Sequence, residues 1–264
     1  MHFYCEHCKK EYPIATHAYA CECGGLFRLY QSEMDADDRH ETVTLGETET
    51  PLLPLVIDDC RFYFKMEDRQ PTGSFKDRGA KRLIGELAYL GIDRVALDSA
   101  GNAGAAVAAY AAAAGIACRV YVPDDISAER TKQITAYGAD VVRVPNGRMN
   151  ASSVLRAELG SDYYASHVYN PLFADGIKSM AHEIYHELGD TVPDYTLSLS
   201  GTARSSSDST MALPRLGGSR ILSAFRAQSV HLSSRRSTSC PRRRARIRLP
   251  RPSAWGRRRA WRTS

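Results

Sequence analysis

Residues 71–80 read PTGSFKDRGA, and they follow an apolar run, Arg61-Phe62-Tyr63-Phe64-Lys65-Met66, that has the composition of a strand. Pro71, Thr72 and Gly73 have turn chemistry, Ser74 is a good helix N-cap, and Asp77 favours the first helical turn. Strand, tight turn and helix start would present Lys76 at the end of an element, beside a pocket rather than on a solvated face. Desolvation and nearby positive charge lower an ammonium pKa, and only the neutral amine attacks a carbonyl to form a Schiff base. Lys76 is therefore the candidate nucleophile. The competing reading is a surface lysine in a Lys-Asp-Arg charge cluster.

Downstream the pattern alternates helix and strand. Residues 80–90 are helix-like, residues 94–98 form a short apolar strand, and an alanine-rich helix runs to residue 114. A strand over residues 118–123, a helix over 127–137 and a strand over 140–144 follow, joined by short loops. Such βα repeats predict an α/β fold with a parallel sheet covered on both faces, its ligand at the carboxyl ends of the strands. The strand ending at Asp98 runs into Ser99-Ala100-Gly101-Asn102-Ala103-Gly104. Only two glycines are present, so this is no dinucleotide fingerprint. It is a small-residue loop whose N–H groups face outward at a helix start, suited to a carboxylate or phosphate, or simply a helix cap.

Upstream, Cys5 and Cys8 form a Cys-x-x-Cys pair, and after twelve residues Cys21 and Cys23 form Cys-x-Cys, followed by Gly24-Gly25. Four thiolates in two close pairs suit structural, tetrahedral zinc. The short second spacing leaves His2, His7 or His17 as substitute ligands and free or redox-active thiols as the alternative. No charged-then-apolar signal precedes these cysteines, and the longest apolar run, residues 104–117, falls short of the ~20 residues a bilayer requires. A cytoplasmic protein is expected. Residues 31–50 are acidic and read as a connecting loop.

The formal net charge of +5 hides an asymmetry. Residues 1–197 hold 29 acidic against 19 basic side chains, whereas residues 198–264 hold 16 Arg, no Lys and a single acid, Asp208. The chain divides accordingly into a ribbon (1–30), a core (31–197) and an Arg/Ser-rich tail (198–264).

KMEDRQPTGSFKDRGA, residues 65–80, closely resembles the lysine segment of fold-type II (tryptophan synthase beta-like) pyridoxal-phosphate enzymes, and within them the threonine synthase group. SAGNAGAAVAAYAA resembles the asparagine loop of the same enzymes, Thr50-Pro51-Leu52 their opening segment, and residues 115–147 their smaller domain. Asn170-Pro171 and Asp175-Gly176 resemble a further segment in which Glu usually stands at Asp175. The resemblance implies a two-domain enzyme with an N-terminal zinc ribbon and an incomplete C-terminal part. Lys76 would carry pyridoxal phosphate, Asn102 would contact its phenolic oxygen, and the backbone of Ser99, Ala100, Gly101, Asn102, Ala103 and Gly104 would hold a substrate carboxylate. Zinc would sit on Cys5, Cys8, Cys21 and Cys23. The implied reaction converts O-phosphohomoserine and water to threonine and phosphate, in an intact homologue that is a homo-oligomer. A threonine or serine dehydratase, or another amino-acid lyase, is the nearest alternative. Thr131, Lys132 and Asn170 are weaker candidates for ligand contact.

After Leu197 the resemblance stops, and the chain turns Ser- and Arg-rich. If Ser, Leu and Arg are written with TCN, CTN and CGN codons, joining each third base to the next two permits VGNGTLLLG across residues 200–208, the glycine loop that this fold would need for the cofactor phosphate. A frameshift near Leu197, and an inactive chain, are the expectation. The tail would then lack a core and be disordered. A different class of function also fits the composition: the ribbon joined to an arginine tail with Trp255 and Trp261 would suit nucleic acid.

Overall fold

The computed structural model describes residues 1–32, 43–57, 60–145, 147–190, 193, 195–199 and 220–224. In chain order the elements are β1 (His2–Cys5), β2 (Glu11–Tyr12), β3 (Phe27–Tyr30), β4 (Leu52–Ile57), β5 (Cys60–Lys65), α1 (Lys76–Tyr89), β6 (Arg94–Leu97), α2 (Asn102–Ala114), β7 (Ala117–Pro123) and α3 (Ala128–Ala136). They continue with β8 (Asp140–Val144), α4 (Gly147–Glu158), β9 (Tyr163–Tyr164), α5 (Pro171–Glu187), β10 (Tyr195–Leu199) and β11 (Arg220–Ala224).

The centre is a four-stranded sheet in the order β8-β7-β6-β9, parallel throughout. Its strands alternate between two apolar layers, as strand geometry dictates. Val95, Leu97, Val120 and Val122 face the layer shared with α1, α2 and α5, while Ala96, Tyr121, Val144 and Tyr164 face Ala151 and Leu155 of α4. Both faces are therefore covered, as the βα alternation requires. The alanines of α2 are core: Ala106, Ala108 and Ala111 are fully or almost fully buried.

Helix α1 starts at Lys76 with Asp77 in its first turn, as the turn chemistry before it predicts, and its N-cap position is Phe75, one residue beyond Ser74. Three features differ from the sequence expectation. Strand β5 does not join the parallel sheet. It pairs antiparallel with β4, and a 3-10 turn at Glu67–Arg69 intervenes before α1, so Lys76 follows a long turn and not a sheet strand. Helices α4 and α5 and the two-residue strand β9 are additions to the pattern read from the sequence. Within the tail, Arg220–Ala224 pair in parallel with β10, a local pairing that the composition does not suggest. Residues 33–42 of the acidic connection and the remainder of the tail lie outside the described residues.

Helices α1 and α5 cross closely because two glycines face each other. A Cβ at Gly176 would overlap the Arg78 carbonyl and come within 2.7 Å of the Arg82 Cβ, and one at Gly79 would lie 2.5 Å from the Phe173 ring. Backbone at the first contact leaves no side chain to swing aside. Gly176→Val should therefore destabilise the fold by about 1–3 kcal/mol, measured as a lower urea midpoint, whereas Ala112→Gly, at an exposed helix position, should cost about 1 kcal/mol or less.

Candidate active site

The strand order places a switch point at β6. From β6 the chain moves outward through β7 and β8, then returns to the opposite side of β6 with β9. In such a sheet the ligand crevice lies beyond the carboxyl ends of the two strands that flank the switch, here β6 and β9. Tyr164 Oη donates to Asp98 Oδ1 (2.6 Å) and ties those two ends together. Beyond Asp98 the loop turns into α2 at Asn102. A Cβ at Gly104 would overlap the Ser99 carbonyl, so glycine lets the loop fold back on the first turn of the helix. Ala105 N–H bonds the Gly101 carbonyl (3.1 Å), which leaves the N–H groups of Asn102, Ala103 and Gly104 as those without an intrahelical acceptor. Gly101 and Asn102 are exposed.

Lys76 lies at the β9 side of this crevice. Its amine stands 4.3 Å from the Phe75 ring centroid and 5.8 Å from that of Phe173, which belongs to the first turn of α5 after β9. The turn before it is pinned at several points. Ser74 Oγ accepts from the Lys76 N–H (3.3 Å), and Asp77 accepts from the Thr72 N–H (2.6 Å) and the Thr72 hydroxyl. Burial raises the Asp77 carboxyl above its ordinary range against the pull of the Thr72 bonds. Helix α3 touches both halves of the crevice: Gln133 Nε2 donates to the Thr72 carbonyl (3.1 Å), and Ile134 packs where Gly104 has no side chain. Lys76 and the loop of residues 99–104 thus share one end of the sheet.

Behind Lys76 stands an ionic cluster around the buried Arg78 that sequence reasoning missed. Arg78 donates bidentately to Glu67 (2.8 and 2.8 Å) and to Glu183 (2.5 and 2.7 Å), and also reaches Ser179 Oγ (3.0 Å) and Thr50 Oγ1 (3.2 Å). Lys65 bridges Glu183 (2.8 Å), Glu187 and the Thr50 carbonyl (2.6 Å). Burial pushes the Glu183 carboxyl up, and Arg78 and Lys65 outweigh it, leaving it below the ordinary value. Beside this cluster, burial raises Glu47 but hydrogen bonds from Tyr110, the Leu45 N–H and Thr44 bring it down to about 2. The only advance signal was a charge-rich string, Lys65 to Arg69 and Asp77-Arg78, where solvation is the usual reading.

The weaker candidates are accounted for otherwise. Asn170 is the N-cap of α5: its Oδ1 accepts from the Leu172 N–H (2.9 Å) and its amide donates to Tyr163 Oη (2.8 Å), so the side chain is occupied. Thr131 is buried and donates to the Ala128 carbonyl (3.2 Å), Lys132 is exposed on α3, and Asp175 pairs with Arg82 (3.3 Å) and Lys178 (2.8 Å).

At the N-terminus the three-stranded sheet β2-β1-β3 gathers four cysteines. The Sγ atoms of Cys5, Cys8, Cys21 and Cys23 all lie within 4.8 Å of one another, with Cys5–Cys23 at 3.4 Å and Cys8–Cys21 at 3.5 Å. Sulfurs at the corners of a zinc tetrahedron stand roughly 3.8 Å apart, so the donor set and its spacing fit that ion. Tyr12 Oη lies 3.1 Å from Cys21 Sγ, and a Cβ at Gly25 would overlap Cys5 Sγ.

The chain matches the family described as pyridoxal-phosphate dependent enzyme over residues 43–207. It belongs to that family. Among curated relatives it is 34% identical over 192 residues to a threonine synthase of Synechocystis sp., covering 69% of this chain and 50% of that one. It is 30% identical over 232 residues to a threonine synthase of Methanocaldococcus jannaschii, covering 75% and 57%. The chain thus spans about half the length of the curated relatives it matches. A pyridoxal 5'-phosphate-dependent aspartate racemase superposes with a TM-score of 0.62 at 25% identity, covering 74% of this chain and 64% of that one. The residues at the switch point fit the family's cofactor: an amine flanked by two rings and a helix start with outward N–H groups. Among the described residues no helix is long and apolar enough to cross a membrane.

A carboxyl whose folded pKa lies below its unfolded value adds stability above the unfolded value and loses it as pH falls through the folded one. Glu183 and Glu47 are both of this kind, so stability should decline from about pH 4.5, with the Glu47 share persisting to about 2. Arg78→Leu, which strands two half-buried carboxylates, should cost about 3–5 kcal/mol at pH 7 and much less at pH 3, read from urea unfolding at both pH values.

Proposed function

We propose that the chain carries the lysine-bearing part of a pyridoxal-phosphate-dependent lyase of threonine synthase type, acting on O-phosphohomoserine and water to release threonine and phosphate. The observation that carries this reading is Lys76 at the same end of the sheet as the loop of residues 99–104, in a chain 34% and 30% identical to two threonine synthases. When bound, the cofactor supplies an electron sink for charge developed on the amino-acid carbon. Lys76 would anchor it covalently, and Asn102 would meet its ring. At Nζ, Lys76 would accept a proton from substrate carbon and return it, in the manner of a positioned general base and acid. Phe75 and Phe173 screen that amine from water on two sides. The N–H groups at the start of α2 would orient the substrate carboxylate, which favours amino acids over substrates lacking that group.

The cofactor phosphate would fall to the residues after Leu197, of which residues 200–219 lie outside the described ones. We read these letters as out of frame. A phosphate cradle works through charge-assisted hydrogen bonds of about 1.5–3 kcal/mol each. Losing about three weakens cofactor affinity by roughly three decades or more. The reading is therefore of an inactive chain whose frame-restored counterpart works in the cytoplasm as a homo-oligomer. It also takes the first 30 residues as a zinc ribbon and the core as residues 31–197.

Two measurements test these readings. Restoring the alternative frame after Leu197 should confer protein-bound pyridoxal-phosphate absorbance, an adduct at Lys76 that borohydride reduces to a stable secondary amine, and phosphate release from O-phosphohomoserine. The chain as written should show at least a thousandfold weaker cofactor binding, and Lys76→Ala in the restored frame should lose the adduct; an adduct that survives in that variant refutes the assignment. Metal analysis of the purified chain should find about one zinc per chain, lost in Cys5→Ser with Cys21→Ser. Retention of zinc in the double variant would remove the cysteines as ligands.

A further inference from the structure

The four N-terminal cysteines have a second chemistry open to them beside metal binding. Their sulfur–sulfur contacts run across the two motifs: Cys5 Sγ lies 3.4 Å from Cys23 Sγ, and Cys8 Sγ lies 3.5 Å from Cys21 Sγ. A disulfide bond measures about 2.05 Å, so each crossed pair closes by a shift of about 1.4 Å shared between two side chains. Each pair also joins an exposed residue to a buried one. Cys8 and Cys23 are exposed, whereas Cys21 and Cys5 are buried. An oxidant in solution therefore reaches one member of each pair first, and the other stands behind it within bonding reach. That is the division between an attacked and a resolving cysteine.

The crossed pairs join the same two turns that a metal would join. Cys5 ends β1 and Cys8 lies in the turn after it, while Cys21 and Cys23 belong to the turn before β3, closed by the Cys21 N–H to the Gly25 carbonyl (2.9 Å). The segment between these turns carries contacts of the ribbon with the core. The Ile14 carbonyl accepts from Tyr163 Oη (3.1 Å), His17 Nδ1 lies 3.3 Å from the Asp162 carbonyl oxygen, and the Tyr19 ring stands 6.1 and 5.4 Å from those of Tyr164 and Tyr169. A link between Cys8 and Cys21 closes this segment into a loop, whether the link is a metal or a covalent bond.

We infer that the cluster is a peroxide-oxidisable site as well as a zinc site: Cys23 and Cys8 are attacked, Cys5 and Cys21 resolve them, and two crossed disulfides replace the metal as the staple of the ribbon. In each pair the peroxide transfers an oxygen to the exposed thiolate, giving a sulfenic acid and hydroxide. The buried thiolate then attacks that sulfur, the S–S bond forms and a second hydroxide leaves, so two electrons pass from the sulfurs to one peroxide. Zinc departs because a disulfide has no thiolate to hold it. A reducing compartment makes the oxidised state transient. The metal part of the inference rests on the zinc reading above, and the disulfide part does not.

The full 264-residue chain is reduced, loaded with zinc, assayed for metal and then titrated with hydrogen peroxide. About one zinc should be released per two peroxides consumed, read with a chromogenic chelator. Peptide mapping should find Cys5 joined to Cys23 and Cys8 to Cys21, and dithiothreitol should restore four thiols and zinc uptake. Amide exchange in β1 and β9 should stay within about twofold of the zinc-loaded chain, since the ribbon remains stapled and docked. Cys8→His, which keeps a four-ligand set, should form the Cys5–Cys23 bond alone; mapping of the parent chain decides the pairing whether or not this variant folds. Disulfides within a motif, sulfinic acids in place of disulfides, thiols that survive excess peroxide, or ribbon amides that exchange freely after oxidation each overturn the inference. A chain that holds no zinc at the outset fails the zinc reading, while the mapped disulfides still decide the oxidation chemistry.

Discussion

The guanidinium of Arg78 is the interaction on which the geometry of the lysine segment depends. It sits two residues after Lys76 and holds carboxylates from two different parts of the chain, Glu67 in the 3-10 turn and Glu183 in α5. A buried ion pair contributes little net stability when compared with an apolar replacement, but a broken one is costly. Its value here is therefore one of specification. Only one mutual placement of turn, α1 and α5 satisfies both forks of the guanidinium, and that placement brings Phe173 to within 5.8 Å of the Lys76 amine. Gly79 and Gly176 permit the approach that Arg78 requires, so the charge and the missing side chains act together.

The same contact explains why sequence reading succeeded at the loops and failed at the supports. Lys76 and residues 99–104 stood out because their neighbours are turn formers and small residues whose only economical conformation is a helix start after a loop. Alternation over residues 94–144 gave β6, β7 and β8 to within a residue or two, since each strand is bounded by glycine, proline or aspartate. Arg78, by contrast, looks the same in a string of letters whether it faces water or two carboxylates, and Glu183 lies more than a hundred positions away. Nothing local encodes that pairing. Asn170 shows the converse case: an Asn-Pro pair at a family position invites a ligand role, and in the fold its amide caps α5 and bonds Tyr163.

Strand β9 illustrates a third kind of illegibility. Two tyrosines are too few to show a period, yet their pairing with β6 creates the switch point that locates the crevice. Tyr163 and Tyr164 point to opposite faces, as consecutive strand residues must. Tyr163 Oη donates to the Ile14 carbonyl (3.1 Å) and accepts from Asn170, linking the N-terminal ribbon to the start of α5, while Tyr164 Oη holds Asp98 at the end of β6. The strand is short because its work is done by two hydroxyls and not by a ladder.

From these tyrosines a connection runs between the cysteine cluster and Lys76 without any shared ligand. β1 and β3 carry Phe3 and Phe27 into the same apolar cluster as Phe173 and Leu83, and Tyr163 fastens the ribbon to the residue that caps α5. So small a sheet has little apolar interior of its own, which is why a metal centre would matter to it. Rigidity supplied at Cys5, Cys8, Cys21 and Cys23 would therefore be felt at the first turn of α5, where Phe173 lies against the lysine helix. Positioning in this fold passes through packed aromatic rings and their hydroxyls, and the lysine inherits its place from both ends of the described chain.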